Sequence, residues 1–278
     1  MVTNQKVGVL HPGQMGVVVA ETLRNSGQEV YWVSAGRSAE TRSRAARAGL
    51  ADAGTVARLC ETCSVIVSVC PPEFAEEVAR EVSGHPFRGL YLDVNAISPG
   101  RARRIGRLLT EQGASYVDGS IIGMPAKARG QTWLYLAGDA AGSALPLFRG
   151  GPLEVEDLCA KAGQASALKM CFAAHSKGTA ALLAAVAGTA EALGVREALE
   201  RQWSRSGPNW ERVAATIEQA APKAWRFVAE MTEIGDTFES VGIPKGFPLA
   251  AGEIYEKLRG YRGSIEPDLA GILSRLRE

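Results

Sequence analysis

The stretch Val7-Gly8-Val9-Leu10-His11-Pro12-Gly13-Gln14-Met15-Gly16 decides the reading of the first half of this chain. An apolar run, a turn holding His11, Pro12 and Gly13, and a helix start follow one another in the order that a dinucleotide-binding βαβ unit requires. In such a turn Gly13 lets the backbone approach a diphosphate, and Gly16 lets helix and strand pack closely. The first-turn N–H groups of the helix face the anion. His11 stands where the usual first glycine would be. His11, Pro12, Gly13, Gln14, Met15 and Gly16 are therefore the first candidate cofactor contacts.

Working outward, short β-branched runs alternate with helical stretches from Lys6 to about Cys159, the pattern of a parallel sheet with crossover helices. Strands are predicted at residues 6–10, 29–34, 65–69, 90–95, 115–118 and 132–137. Helices are predicted at 14–25, 38–48, 72–82 and 99–112, with Pro72 and Pro99 at first-turn positions. After Gly163 the strand-like runs stop. Alanine-rich, helix-favouring sequence continues from Gln164 to Leu193 and ends at Gly194. Further helices are predicted at 196–204, 209–220, 223–240, 249–259 and 267–277. In one of them Trp225, Val228, Met231, Gly235, Phe238 and Val241 make a single stripe, expected to be core or a dimer interface. The expected fold is α/β, with a mainly parallel Rossmann domain over residues 1–162 and an all-α domain over 163–278.

The second predicted strand ends at Val33-Ser34 rather than at the carboxylate that would accept hydrogen bonds from a ribose 2′-hydroxyl. A carboxylate there would repel a 2′-phosphate, whereas Ser34, Arg37 and Ser38 can bind one with a charged fork and hydroxyl donors. NADP is thus expected over NAD. Two further strand ends should reach the same crevice. One is the rigid Cys70-Pro71-Pro72 turn, and the other offers Asn95 as a polar contact.

Composition narrows the partners. With 278 residues, 46% apolar and 22% charged and a formal net charge of +1, the chain suits neither disorder nor a nucleic-acid partner. No basic-plus-apolar leader precedes the first strand, so a cytoplasmic protein is expected. The apolar stretch from Thr179 to Leu193 is broken by Gly188 and Glu191, so a membrane span is not expected. Cys60, Cys63, Cys70, Cys159 and Cys171 read as reduced thiols. Cys60 and Cys63 have no second pair or nearby histidine to complete a metal site, and His11, His85 and His175 suggest none.

Gly13-Gln14-Met15-Gly16, the Asp93-Val94-Asn95-Ala96-Ile97-Ser98-Pro99 run, Asp118-Gly119-Ser120-Ile121-Ile122-Gly123 and the Lys169 helix occur in an order that resembles the 3-hydroxyisobutyrate and 6-phosphogluconate dehydrogenase superfamily. Leu168-Lys169-Met170, Ser176-Lys177-Gly178 and Glu230-Met231 are similar to the branch with the C-terminal domain called DUF1932. The resemblance implies a nicotinamide cofactor, hydride transfer at a carbinol carbon, a small-molecule substrate and a homodimer whose C-terminal helices interlock. It implies that Lys169 is the general acid/base, with a pKa lowered toward the working range. Ser120 falls in the substrate-anion loop, where many relatives place a hydroxyl at the position of Ile122. The family's asparagine four residues after the lysine is Ala173 here, so Ser176 or Lys177 would have to replace its hydrogen bond. On a helix Lys169, Ala173 and Ser176 share a face, because seven residues return to within about 20°. Imine reduction and a non-catalytic NADP-binding sensor are the alternatives, the sensor being favoured by the missing asparagine.

Overall fold

The computed structural model describes residues 4–278. Among these, an eight-stranded sheet has the order β3-β2-β1-β4-β5-β6-β7-β8. Its first half is β1 (Lys6–Val9), α1 (Gln14–Asn25), β2 (Glu29–Trp32), α2 (Ala39–Arg47), β3 (Ala51–Asp52), α3 (Val56–Thr62) and β4 (Val65–Ser68). A short 3-10 turn at Pro72–Phe74 leads into α4 (Ala75–Ser83), followed by β5 (Leu90–Asp93), α5 (Pro99–Glu111) and β6 (Ser115–Gly123). β7 (Thr132–Ala137), α6 (Ala141–Ala144) and β8 (Glu154–Asp157) complete the sheet and its connections. Strands β1 to β6 pair in parallel, β7 runs antiparallel to β6, and β8 runs parallel to β7. The order reverses between β1 and β4, which opens a crevice beyond the carboxyl ends of those strands.

The central strands are buried on both faces, and this is why they read as continuous apolar runs. Val7, Val9, Val65, Val67 and Leu92 pack toward α1 on one face, and Leu10, Ile66 and Tyr91 pack toward α3, α4 and α5 on the other. Two glycines are fixed by contact. A Cβ on Gly8 would sit 2.7 Å from Leu59, and one on Gly16 would sit 2.1 Å from the His11 carbonyl oxygen.

Several elements differ from expectation, each for a local reason. β3 has two exposed residues, and β8 reads Glu-Val-Glu-Asp at the sheet edge, so neither shows an apolar period. The seven-residue α3 is too short for a helical repeat and is set by its Thr55 cap, which accepts from Arg58 N. β6 was expected to stop at Asp118 but runs to Gly123, because β7 pairs with it from Asp118 onward after β5 has ended. Ser38, expected inside its helix, is instead the N-cap of α2 and accepts from Thr41 N.

By packing, the chain divides into two units, the first ending at Lys169 and the second spanning Met170–Glu278. The division falls inside the 29-residue helix α7 (Gln164–Ala192), seven residues beyond the boundary that composition suggested. The second unit continues with α8 (Arg196–Ser206), α9 (Trp210–Ala220), α10 (Ala224–Glu239), α11 (Gly246–Lys257) and α12 (Leu269–Arg275). Helices α10 and α11 approach closely where Gly252 meets the Met231 side chain and Gly235 meets Leu249. The stripe expected on α10 is only partly covered: Met231 and Gly235 are buried, whereas Val241 is 72% exposed. Helix α7 is long and apolar enough, by length and composition, to cross a membrane.

Candidate functional site

The first turn of the crevice is built around His11. Gly13 N donates to the His11 carbonyl at 2.8 Å, closing a tight turn, and Val17 N donates back to Gly13 O at 2.9 Å. Helix α1 starts at Gln14 with no side-chain cap, so its first-turn N–H groups have no side-chain acceptor. A Cβ on Gly13 would meet nothing within 4 Å, so the backbone there is open to an approaching group. Both features fit a dinucleotide diphosphate at the helix N-terminus. Pro12 and Gly16 are buried, Met15 is half-buried and Gln14 is exposed.

His11 is half-buried, and its Nδ1 has no hydrogen-bond partner. Burial, and then the Arg37 charge beside it, bring its pKa down to about 4, so the imidazole is neutral at pH 7. Arg37 is half-buried with Nε unpartnered, and its backbone N donates to the Ser34 carbonyl at 3.2 Å. The structure therefore brings Ser34, Arg37 and His11 together at the end of β2. The Ser38 hydroxyl is engaged in capping α2. Arg44, which pattern reading missed, reaches from α2 to the Pro12 carbonyl at 3.3 Å and also bonds Glu40. It is one arginine among several on a polar helix, and only the fold shows which of them faces the turn.

At the ends of β4 and β5, Asn95 acts as a bracket between strands. Its Oδ1 accepts from Cys70 N at 2.6 Å and its Nδ2 donates to Ser68 Oγ at 3.0 Å. Burial pushes the Cys70 thiol up to about 12, so it is protonated at neutral pH. Pro71 is exposed and Pro72 buried, and Arg101 holds their turn by donating to Pro72 O at 2.8 Å. Asp93 accepts from Asn95 N through Oδ1 at 3.0 Å, while its buried Oδ2 has no partner. Burial raises its pKa to about 7, with the neighbouring Asp118 adding to the rise.

Asp118 ties the start of α7 to β6. Its carboxylate accepts from Gly163 N at 2.8 Å, Ser166 N at 3.1 Å and Ser166 Oγ at 2.6 Å. Three residues further along the helix, Lys169 Nζ donates to the Ile121 carbonyl at 2.8 Å, again on β6. The lysine is thus held at the carboxyl-terminal half of that strand by its own bond and by the anchored first turn of its helix. Ser120, on the same face of β6 as Asp118, is fully buried with Oγ unpartnered.

The family model for the NAD binding domain of 6-phosphogluconate dehydrogenase matches residues 6–146, and that of a domain of unknown function, DUF1932, matches residues 190–258. The chain belongs to the 3-hydroxyisobutyrate and 6-phosphogluconate dehydrogenase superfamily, in its DUF1932 branch. Membership makes it a nicotinamide-dinucleotide-dependent oxidoreductase. An uncharacterized 28.5 kDa protein of Methanothermus fervidus is 28% identical over 195 residues, 70% of this chain and 74% of that one. The conserved protein MTH1747, of unknown function and structurally similar to 3-hydroxyacid dehydrogenases, is 28% identical with a TM-score of 0.71, covering 92% of this chain and 97% of that one. The 3-hydroxyisobutyrate dehydrogenase of Mycobacterium tuberculosis, solved with L-serine, shares the fold at 19% identity and a TM-score of 0.73, covering 99% of this chain and 100% of that one.

In this DUF1932-branch oxidoreductase the two residues considered as replacements for the family asparagine are already engaged. Lys177 Nζ lies 2.7 Å from Glu230 Oε2 and 5.0 Å from the Phe227 ring centroid, and its carbonyl accepts from Tyr255 Oη at 2.6 Å. Ser176 is exposed and donates back to Phe172 O at 3.1 Å. Ala173 is fully buried. Cys60 and Cys63 lie in the core, their thiols pushed up to about 11 and 12 by burial. Among the described residues no group of three or more metal-ligating side chains is assembled.

Proposed function

We propose that this protein is an NADP-dependent oxidoreductase that interconverts a small hydroxy acid and its carbonyl form, with Lys169 as general acid/base. The observation that carries the reading is the double attachment of the Lys169 segment to β6, through Asp118 and through the Ile121 carbonyl. A proton-transfer group must be held within hydrogen-bond reach of one atom, and this attachment fixes the ammonium at one strand position. The Gly13 turn and the uncapped start of α1 would hold the diphosphate. Ser34 and Arg37 would hold a 2′-phosphate, which a carboxylate at the end of β2 would have repelled. When bound, the cofactor supplies the hydride acceptor or donor. Lys169 Nζ would take the proton from the substrate hydroxyl in oxidation and return it to the carbonyl oxygen in reduction. Ser120, beside Lys169 on the first unit, would line the substrate side, and two chains would pair through their C-terminal helices.

Absorbance of NADPH, followed in both directions across hydroxy acids, keto acids and cyclic imines, tests this. Lys169→Ala should lower kcat by about 10²- to 10⁴-fold on the preferred substrate while NADPH still binds. Unchanged turnover would remove Lys169 from the chemistry, and turnover of imines alone would replace the substrate class. Saturable NADPH binding with no turnover on any substrate would point to a sensor. Arg37→Ala should erode the preference for NADP over NAD by about tenfold or more, the worth of one charge-assisted hydrogen bond. An untouched preference would mean that the 2′-phosphate is read elsewhere.

A further inference from the structure

A cavity of about 610 Å³ lies on the first unit between α5, the start of β6 and the loops at residues 138–140 and 161–162. It sits at the amino end of β6, whereas the crevice residues sit at the carboxyl ends of β1, β2, β4 and β5. Arg103 and Arg107 line it from α5, and Lys161 lines it from the loop that leads into α7. The floor includes the buried ring of Tyr116, packed so closely on α5 that a Cβ on Gly106 would come within 2.8 Å of it.

The arginines of α5 divide by role. Arg101 donates to Pro72 O and Arg104 approaches Glu76 at 3.8 Å, so both are tied to neighbouring elements. Arg103 and Arg107 form no ion pair or side-chain hydrogen bond among the described residues, and neither does the ammonium of Lys161. Asp139 is the one carboxylate in the lining, against three cations. Like charges four residues apart on a helix repel by about 0.2–0.5 kcal/mol, a cost that a shared anion reverses. The positive end of the α7 dipole adds to the field: Gly163, immediately before that helix, lies so close to Arg103 that a Cβ there would be 2.9 Å from its guanidinium.

We propose that this cavity is a second anion site, taking the phosphoryl group of a small metabolite between Arg103, Arg107 and Lys161. Two guanidinium forks on successive helical turns match phosphoryl oxygens, and the volume exceeds what a bare phosphate fills. The occupant would touch the segment leading into α7, two residues before the turn that Asp118 anchors.

The test is calorimetric titration of inorganic diphosphate into the protein already saturated with NADPH, so that the nucleotide crevice is filled. One saturable event per chain is expected. The Arg103→Gln/Arg107→Gln variant should weaken it by at least about tenfold with NADPH affinity unchanged, and Lys161→Gln should weaken it less. Both arginines are exposed, so unchanged NADPH affinity also reports that the double variant is folded. No saturable event, or an affinity that the double variant leaves unchanged, would overturn the proposal. Diphosphate binding lost in Arg37→Ala but kept in the double variant would belong to the crevice and would overturn it as well. Neither result would bear on Lys169.

Discussion

Asp93 shows how one residue sets a property of the whole chain. It is paired in register with Asp118 on the adjacent strand, and both carboxyls are buried. In the folded protein Asp93 titrates near 7, against an ordinary value of 3.8. Between those values the folded state keeps a proton that the unfolded state releases. The stabilisation is therefore full below pH about 4 and is lost as the pH rises through about 7, with a slope of up to about 1.4 kcal/mol per pH unit. Burial raises Asp118 in the same direction, opposed by its bonds from Ser166 and Gly163. Asp93→Asn keeps the acceptor for Asn95 N and removes the titration, so its Tm should change less between pH 4 and 7 than that of the wild type. An equal slope in thermal melts would assign the effect to another group. Nothing in the sequence marks Asp93 as unusual, since an aspartate at a strand end normally reads as solvated.

At the scale of elements, the decisive link is between β6 and α7. Asp118 serves as the anchor of a helix whose first residue is 46 positions away, satisfying N–H groups that would otherwise lack partners. Asp118→Ala would leave these buried donors unmatched, at a cost of about 1–3 kcal/mol. The same change should lower kcat more than it weakens NADPH binding, because the freed turn leads directly into Lys169. Asp118→Asn should recover most of both. If urea melts and turnover of the alanine variant match the wild type, the anchor has no energetic weight. The existence of α7 was legible from its composition, and so was the βαβ order around Gly13. The anchor was not, because contact between residues 45 to 48 apart has no periodicity in sequence.

For the whole molecule, α7 leaves an apolar stripe uncovered. On α7, Leu168, Phe172 and Leu182 fall within about 80° of one another around the axis and are 37%, 49% and 52% exposed, and Leu193, just past the end of the helix, is 71% exposed. An exposed apolar row of this kind is expected to be buried against a partner, and a second copy interlocking through these helices is the proposed one. Leu182→Glu should shift the protein from dimer to monomer in light scattering after size exclusion, with the Asp93 titration left in place. A wild-type monomer at micromolar concentration, or a variant that stays dimeric, would exclude this face as the interface.

The sequence by itself determined the strand-to-helix turn of the nucleotide-binding half and suggested the proposed 2′-phosphate contacts, because each depends on a few neighbouring residues. Gly13 and Gly16 at a strand-to-helix turn, and Ser34 with Arg37 where a carboxylate would stand, are local patterns read against a helix dipole and a phosphate charge. It also determined the split into α/β and all-α halves, since the period of apolar residues changes after Gly163. Only the tertiary structure decided which polar groups are already matched. Asn95 brackets Cys70 and Ser68, Ser38 caps α2, Lys177 pairs with Glu230, and Asp118 holds the turn before Lys169. Arg103, Arg107 and Lys161 are left facing one cavity. The reason is physical: a strand or helix is chosen by forces acting within a few residues, whereas satisfying a buried donor or pairing a charge depends on distance in space. That distance is fixed only when the sheet closes and the helices pack.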